Sequence, residues 1–523
     1  MSSITRGDDG RWLDTLPQPA QYTIIWLPLP SPGRTEQVDV FSMSTTLSFW
    51  LYTLAIMAVG IYSARYGRAS STDFFLAGRG IGAWVAALSA AASAESGWVT
   101  LGLVGMAFQT GIGALWIIPG TVVAFLFNWL VIADRLRRQA RDQGSITLPD
   151  VFAANFTGRH SLVIRVLTML IILSMLSAYV AAQFSAAGKM FETMLDWPYE
   201  AGVIVGAIIV MSYTISGGFR AVAWTDVVQA LMMIIAMLIL PLVLLVHLGG
   251  IDNMWQRLGS LEDGATLTAP FANQIGMALV GFVAMWLGIP LGNCGQPHIL
   301  VRYMATSDTT AIRRGALIST TWVFLLFAGA VLLGVFARAW YGSLNDPETV
   351  LPRVAGDLLP GLLAGPMIAA VLAAICSTAD SQLLVSASTV SHDLYVRVLG
   401  RQPGNQRIVF LNRLAVLLVG IFAMVVALVK VRVIFDFVLY AWAGLGAAFG
   451  PALILMLLWR RTSATGVIAG MLVGFITAVV WRMTLHNYLY ELVPAFLLAF
   501  FTVWLVSLFS VEHTITTSIG KQP

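Results

Sequence analysis

Apolar runs of about 20 residues, separated by short polar loops, recur along the whole chain, and this rhythm decides the fold class before any single residue is read. A run of that length crosses a hydrocarbon core as a helix, whereas barrel strands alternate polar and apolar positions over about ten residues. Thirteen spans are read, near 45–64, 80–108, 114–134, 161–188, 198–217, 221–248, 271–294, 315–337, 360–390, 408–429, 433–458, 464–482 and 488–509. With 58% hydrophobic and 11% charged residues, the loops leave no room for an inserted soluble domain. The expectation is an all-α polytopic membrane protein in one integral unit.

Residues 1–42 are polar and Pro-rich, with only the short, Pro-broken apolar piece "YTIIWLPLP". They read as a disordered extension, or as a start assigned too far upstream, since Met43 opens "MSTTLSFWLYTLAIMAVG". The membrane domain is then 43–510, with 511–523 a cytoplasmic tail. Loops after the odd-numbered spans hold most of the arginines, among them Arg79, Arg135, Arg137, Arg138, Arg141, Arg302, Arg313 and Arg314. The bias orients the N-terminus outside and the C-terminus in the cytoplasm, as a multi-pass protein of the cell (inner) membrane. The acidic loops 261–264 and 345–348 fall outside. The arginine-rich segment 135–141 reads as a solvated, orientation-setting loop rather than a lipid-binding site.

Several function classes lack their chemistry. Cys294 and Cys376 give neither a disulfide framework nor a metal spacing, and the six histidines are scattered. No phosphate loop with a Gly-Lys-Ser ending supports ATP-driven transport. An embedded enzyme needs a nucleophile and a base, and no histidine falls in a mid-span polar cluster. Nothing in the sequence calls for nucleic acid or an obligatory protein partner. The partners expected are a small-molecule substrate, a coupling ion and the bilayer.

Two spans read as broken. Span 2 carries Ser93, Glu95, Ser96 and Gly97 in mid-run, and span 7 carries "WLGIPLGNCGQP" (286–297) with Pro290 and three glycines. Irregular backbone at membrane depth is tolerated where it is buried in protein or lines a cavity. The breaks lie five spans apart, the pattern of an inverted repeat over about 80–248 and 271–458 with a site between unwound helices. A carboxylate at the centre of a span costs about 2.5–3.5 kcal/mol on insertion scales, so Glu95 reads as lining an ion or substrate route. "ICSTADSQLLVSAST" (375–389) crowds Ser377, Thr378, Asp380 and Ser381 onto one helix, hard oxygen ligands that suit Na⁺. Asp226, in "AWTDVVQA" (223–230), is a third intramembrane acid.

These stretches, with "DFFLAGRGIGAW" (73–84), "GQPHILVRYMA" (295–305) and "YAWAGLGAAFGPA" (440–452), resemble the sodium/solute symporter family, closest to its bacterial sodium/proline symporter branch. The resemblance runs from about Met43 to about Leu508. It implies a LeuT-type core, about thirteen helices and alternating access. It implies a main sodium site from the Ser377 and Thr378 side chains and the carbonyls of Ala374, Ala92 and around Glu95. Asp226, Asp380 and Ser381 stand where some members build a second sodium site. Arg79 matches an arginine near the cytoplasmic entrance, and Tyr179 matches a branch tyrosine. Candidate substrate contacts are Tyr179, Ser96, Gly97, Trp286, Ile289, Asn293 and Gln296, and candidate gating or coupling residues are Arg79, Glu95 and Pro290.

The chain also departs from the branch. Where the branch has aspartate then methionine before Ser-Gly-Trp, this chain has Ala94 then Glu95, an offset of about 100° on a continuous helix. Ile289 and Asn293 replace a tryptophan and a tyrosine. The reading is a secondary active symporter that couples Na⁺ influx to uptake of a small organic solute, an amino acid or related carboxylate, with proline the first candidate. H⁺ as coupling ion, or a transporter-derived sensor acting through a partner, is the alternative. Glu95 supplies charge near the ion or carries a proton.

Overall fold

The computed structural model describes residues 43–63, 71–429, 434–486 and 488–510. The proposed extension 1–42 and tail 511–523 lie outside them. Every regular element in this range is a helix, and the one β-type pairing is an isolated parallel bridge between Ile81 and Thr306. Among the described residues ten helices are long and apolar enough to cross a membrane, and three shorter apolar helices, Met43–Val59, Ala83–Ala94 and Tyr199–Ile215, accompany them.

Side-chain size sorts centre from rim. The helix Gly361–Ser388 is rich in Ala, Ser and Gly, so neighbours approach its backbone on every side, and every residue from Met367 to Ser388 is buried. It packs against Met43–Ser63, Gly158–Leu195, Tyr199–His247, Asn405–Ala427 and Ala83–Ala94. The helix Leu492–Phe509 carries large apolar residues instead, and it buries a single face, Leu492, Ala495, Phe496, Ala499, Val503 and Ser507. A helix apolar on all sides suits either a protein interior or a lipid boundary.

Both expected breaks are present, for different reasons. At the second, the chain runs from the α-helix Gly276–Gly288 through a tighter 3₁₀ turn, Ile289–Gly295, into the α-helix Pro297–Ala305. Pro297 cannot donate to a preceding turn and disfavours helical backbone in the residue before it, so Gln296 is extended (φ −85°, ψ 110°) and Pro297 starts a new helix. The span therefore does not stop near residue 294, as hydropathy indicates. Its second half, Pro297–Ala305, is buried at every residue. At the first break Ala83–Ala94 ends at Glu95 in an extended conformation (φ −102°, ψ 100°) and helix resumes at Gly97. The helix is not continuous there, so the rotation argument from Ala94 to Glu95 does not hold.

Two glycine positions shape the frame. Gly218 (φ 60°, ψ −170°) divides the long Tyr199–His247 element at the junction of the spans read at 198–217 and 221–248, and a Cβ there would lie 3.0 Å from Phe74. Gly446 lets the helix Ile434–Leu458 meet the second break closely, since a Cβ on it would stand 2.5 Å from Gly292 Cα.

Two loop readings change. The segment 135–141 is helical, within Asp134–Asp142, with Arg137 buried. Glu348, read in an acidic loop, is also buried. It pairs with Lys189 and accepts from the backbone N–H groups of Ile434 (3.4 Å) and Phe435 (3.1 Å), at the start of Ile434–Leu458.

At the end of the bundle holding 147–153, Arg165 Nη1 bridges Asp150 (2.7 Å) and Asp393 (3.0 Å), while His392 Nε2 (2.9 Å) and Arg397 (3.1 Å) also reach Asp150. Burial pushes the Asp150 carboxyl up, but the hydrogen bond and charge of His392, with Arg165 and Arg397, hold it well below the usual carboxylate range.

The contact at Gly446 is directly testable. Gly446→Ala overpacks it, and the expected cost is about 1–3 kcal/mol, read as a lower thermal midpoint in detergent. An unchanged midpoint would show that the second break and Ile434–Leu458 do not pack as described.

Candidate ion and solute site

A helix that ends inside a membrane bundle leaves its last carbonyls without partners, and something nearby must serve them. At the first break the servers are hydroxyls of Gly361–Ser388. Ser377 Oγ lies 3.0 Å from the Ala92 carbonyl and 3.1 Å from that of Ala374, and Thr378 Oγ1 lies 3.2 Å from Ser93 O and 3.5 Å from Ala92 O. Ala92, Ala374, Ser377 and Thr378, the core of the expected sodium set, thus meet at one point. Ser93 O joins them, an oxygen that the sequence expectation does not include. The Gly97 N–H donates to Gln183 Oε1 (3.1 Å), and a side chain at Gly97 would press on Ala186 and Ile375 at 3.2 Å.

Glu95 stands at this break, 2% exposed, and its Oε2 has no hydrogen-bond partner. Ser96 Oγ lies 3.5 Å from Tyr179 Oη, and the Tyr179 ring stands edge-on to His298 at 6.1 Å. His298 is buried in the half-helix Pro297–Ala305, so a histidine does lie in the polar cluster at membrane depth, contrary to the sequence reading.

The second break contributes Trp286, Ile289, Asn293 and Gln296, all buried. The Ile289 carbonyl accepts from Trp442 Nε1 (2.8 Å), and Gln296 Nε2 donates to Gly292 O (3.1 Å) and Trp442 O (3.0 Å). Pro290 packs on the position of Gly120, where a Cβ would meet its Cγ at 3.2 Å. Trp286 Nε1, Asn293 Oδ1, Gln296 Oε1 and Gln183 Nε2 are buried without a partner, as Glu95 Oε2 is. Unpaired buried donors and acceptors are costly, and a set of them at two helix breaks is what a polar solute would satisfy.

Asp226, Asp380 and Ser381 also come together, but around a residue read as a loop arginine. Arg302 is fully buried. Its Nη2 pairs with Asp226 Oδ2 (3.1 Å) and also reaches Ser381 Oγ, its Nε donates to Ser89 Oγ (3.1 Å), and its Nη1 donates to His298 O (2.6 Å). Ser89 Oγ donates to Asp226 Oδ2 (2.6 Å), and Ser93 Oγ lies 3.3 Å from the same oxygen. Asp380 accepts from Tyr213 Oη (2.8 Å) and Ser381 Oγ (3.0 Å). A resident guanidinium thus neutralises one of the two carboxylates. Arg302, His298, Gln183, Tyr213, Ser89 and Ser93 were not named as site residues. His298 and Arg302 are four apart and share one face of the half-helix behind Pro297, and that spacing was the available signal.

Arg79 lies toward one end of the bundle, away from the breaks. Its Nη2 donates to Ser145 O (2.8 Å), and its own carbonyl accepts from Arg141 (2.9 Å), which also reaches Thr306 O and Ser307 O. The backbone pairs of Ile81 with Ala305 and Ser307 close the same face.

Solved structures share this architecture. A Na⁺-coupled sialic acid symporter in a substrate-bound outward-open state aligns with a TM-score of 0.78 at 17% identity, over 90% of this chain and 99% of that one. Mhp1, a nucleobase-cation-symport-1 family transporter in a closed conformation, aligns at 0.52 and 14% identity, over 85% and 98%. The fold is thus the LeuT-type inverted-repeat carrier fold. The family model for the sodium:solute symporter family matches residues 74–474. The high-affinity proline transporter PutP of Bacillus subtilis is 37% identical over 87% of this chain and 95% of its own length. The sodium/proline symporter of Escherichia coli is 34% identical over 91% and 93%. The chain belongs to the sodium:solute symporter family, a family of carriers rather than enzymes, and is a multi-pass membrane protein.

The buried pair gives a test independent of transport. Arg302→Gln or Asp226→Asn alone leaves an uncompensated buried charge, and each is expected to cost about 3–5 kcal/mol, read as a lower thermal midpoint in detergent. The double variant should recover part of that loss. Additive losses would mean that the two groups do not interact.

Proposed function

We propose that the chain imports proline, or a closely related small amino acid, in symport with Na⁺. The observation that carries this reading is the convergence of the Ser377 and Thr378 hydroxyls on the carbonyls of Ala92, Ser93 and Ala374 at the first break. Five hard, neutral oxygens on two facing elements form a donor set suited to Na⁺. The C-terminal end of Ala83–Ala94 adds its negative dipole end at the same place. Glu95 supplies the compensating charge beside this site. The relatives named as proline transporters support the choice of solute, and Ile289 and Asn293 are its replaced contacts. An amino acid carries both a carboxylate and an ammonium group, and the two breaks with Gln183 offer unpaired donors, Gln183 Nε2 and Trp286 Nε1, and unpaired acceptors, Glu95 Oε2, Asn293 Oδ1 and Gln296 Oε1. The N-terminal ends of the resumed helices, at Gly97 and Pro297, favour the carboxylate.

The arginine bias supports an N-terminus outside and a C-terminus in the cytoplasm, with Arg79 near the cytoplasmic entrance. One Na⁺ moving down 100 mV yields roughly 2.3 kcal/mol, and a tenfold gradient adds about 1.4 kcal/mol. Together these hold a neutral solute roughly several hundred-fold concentrated.

Uptake by proteoliposomes, with Na⁺ and H⁺ gradients imposed independently, decides the solute and the ion. Proline should accumulate when Na⁺ is high outside and not under an H⁺ gradient alone. Failure of either gradient to move proline rejects proline while leaving the fold intact. Ser377→Ala with Thr378→Ala should raise the half-saturating Na⁺ concentration at least about tenfold, a change of about 1.4 kcal/mol. An unchanged Na⁺ affinity would sink the site assignment. Glu95→Gln should also weaken Na⁺ while the pH profile of uptake keeps its shape. Loss of pH dependence with Na⁺ affinity intact would assign Glu95 to a proton instead.

A further inference from the structure

One cavity belongs to none of the machinery above. It opens to about 310 Å³ where the helix through Asp134–Asp142 leaves the bundle beside the start of Thr309–Tyr341. Trp129, Leu130 and Ile312 give it an apolar floor, and Arg135, Arg138 and Arg313 line it with charge. Its one carboxylate, Asp134, is already engaged. Asp134 Oδ1 accepts from Arg137 (2.7 Å) and Thr309 Oγ1 (2.9 Å), and its Oδ2 pairs with Arg138 (2.5 Å). Arg135 makes one bond, to the Val131 carbonyl of its own helix (2.7 Å), and Arg313 has no ion pair among the described residues. With Arg137 behind the cavity and Asp308 within electrostatic reach of it, four guanidiniums face two carboxylates, a surplus of two positive charges. The indole N–H of Trp129, a fully buried lining residue, has no partner.

The apolar surroundings specify the ligand further. Leu130, Leu126 and Val123 are exposed at helical spacing on one helix, so they run from the cavity along a single face. On the neighbouring helix Leu317 and Phe324 stand four and eleven residues beyond Arg313, also exposed and on its face. Both stripes descend into the span from a basic mouth at its end. A free phosphate would use only the mouth, whereas a phospholipid would use both.

We propose that this cavity binds the phosphodiester headgroup of an anionic phospholipid, with Arg135, Arg138 and Arg313 on the headgroup and acyl chains along the two stripes. Basic pockets between helices at a membrane boundary take such headgroups, each arginine contributing a comparable increment. The bound lipid joins the ends of two helices that the Asp134–Thr309–Arg137 contacts already tie together. The inference holds whichever solute is carried.

The test titrates the full chain, purified in detergent, with phosphatidylglycerol or phosphatidylcholine and counts bound lipid by native mass spectrometry. Wild type should hold one phosphatidylglycerol per chain more tightly than phosphatidylcholine. Arg135→Gln/Arg138→Gln/Arg313→Gln should weaken that lipid about tenfold or more, with phosphatidylcholine unaffected. Arg313→Gln alone, at an exposed and unpaired position, should weaken it severalfold and serves if the triple variant folds poorly. Arg159→Gln, an exposed arginine in the first turn of Gly158–Leu195, should change nothing. Equal lipid retention by wild type and the Arg313→Gln and triple variants would overturn the proposal. So would displacement of the lipid by millimolar inorganic phosphate, which would assign the cavity to a soluble phosphate ligand.

Discussion

The structure turns on a bookkeeping rule for polar backbone: at membrane depth, no amide or carbonyl released from a helix can be left to water. Both breaks obey it through neighbours. At the first, hydroxyls from Gly361–Ser388 meet the carbonyls of Ala92 and Ser93, and Gln183 takes the Gly97 amide. At the second, Gln296 and Trp442 close the gap. On the proposed assignment the Ser377 and Thr378 hydroxyls serve two states. A hydroxyl that donates to a carbonyl can rotate its proton away and present a lone pair, leaving both oxygens to a cation. The same atoms therefore satisfy the backbone without an ion and suit one that arrives.

Burial sets a second constraint, and three acids meet it differently. Asp226 has a guanidinium and nearby serine hydroxyls, so its charge is compensated within the protein. Asp380 has hydroxyl donors from Tyr213 and Ser381. Glu95 has no ion pair, and its Oε2 has no donor; Asp226 Oδ1 is also unpartnered, but the other oxygen of that carboxylate meets Arg302. A buried carboxylate without a counter-charge is expensive unless a cation or proton joins it, so Glu95 is the acid whose environment asks for a partner from outside. The same contrast weighs against a second sodium site of full strength at Asp226, where Arg302 already stands.

Much of this was legible in the sequence because it is local. Span length, the polar interruption at Glu95–Gly97 and the crowding of Ser377, Thr378, Asp380 and Ser381 are read within one or two turns. Their meeting with Ala92 and Ala374 came from the family resemblance. Arg302 and His298 escaped because hydropathy ends a span where charge appears, and Pro297–Ala305 carries both an arginine and a histidine inside the protein. Only tertiary partners, Asp226 above all, make that tolerable. Glu348 escaped for the same reason, since its partners Lys189 and the start of Ile434–Leu458 lie far away in sequence. Segment 135–141 was legible as basic but not as two-faced, with Arg137 turned inward and Arg138 outward. That division depends on what packs behind the helix.

The half-helices Ala83–Ala94 and Pro297–Ala305 lie on the same side of their breaks, and contacts at two levels join them. Deep in the bundle Arg302 reaches Ser89, and at the end Ile81 pairs with Ala305 and Ser307 while Arg141 takes the carbonyls of Thr306 and Ser307. Any opening at that end must part some of these contacts, and the unwound residues at Glu95 and Gln296 are where the backbone can turn. On the proposed assignment the ion binds the carbonyl end of Ala83–Ala94 and ties it to Gly361–Ser388. A ligand shifts a conformational equilibrium only through different contacts in the two states, and an ion held between these two elements has them: its coordination is complete while they are together and lost when they separate. Placing the ion at the break, rather than deeper in either helix, is what lets its binding bear on closure of that end.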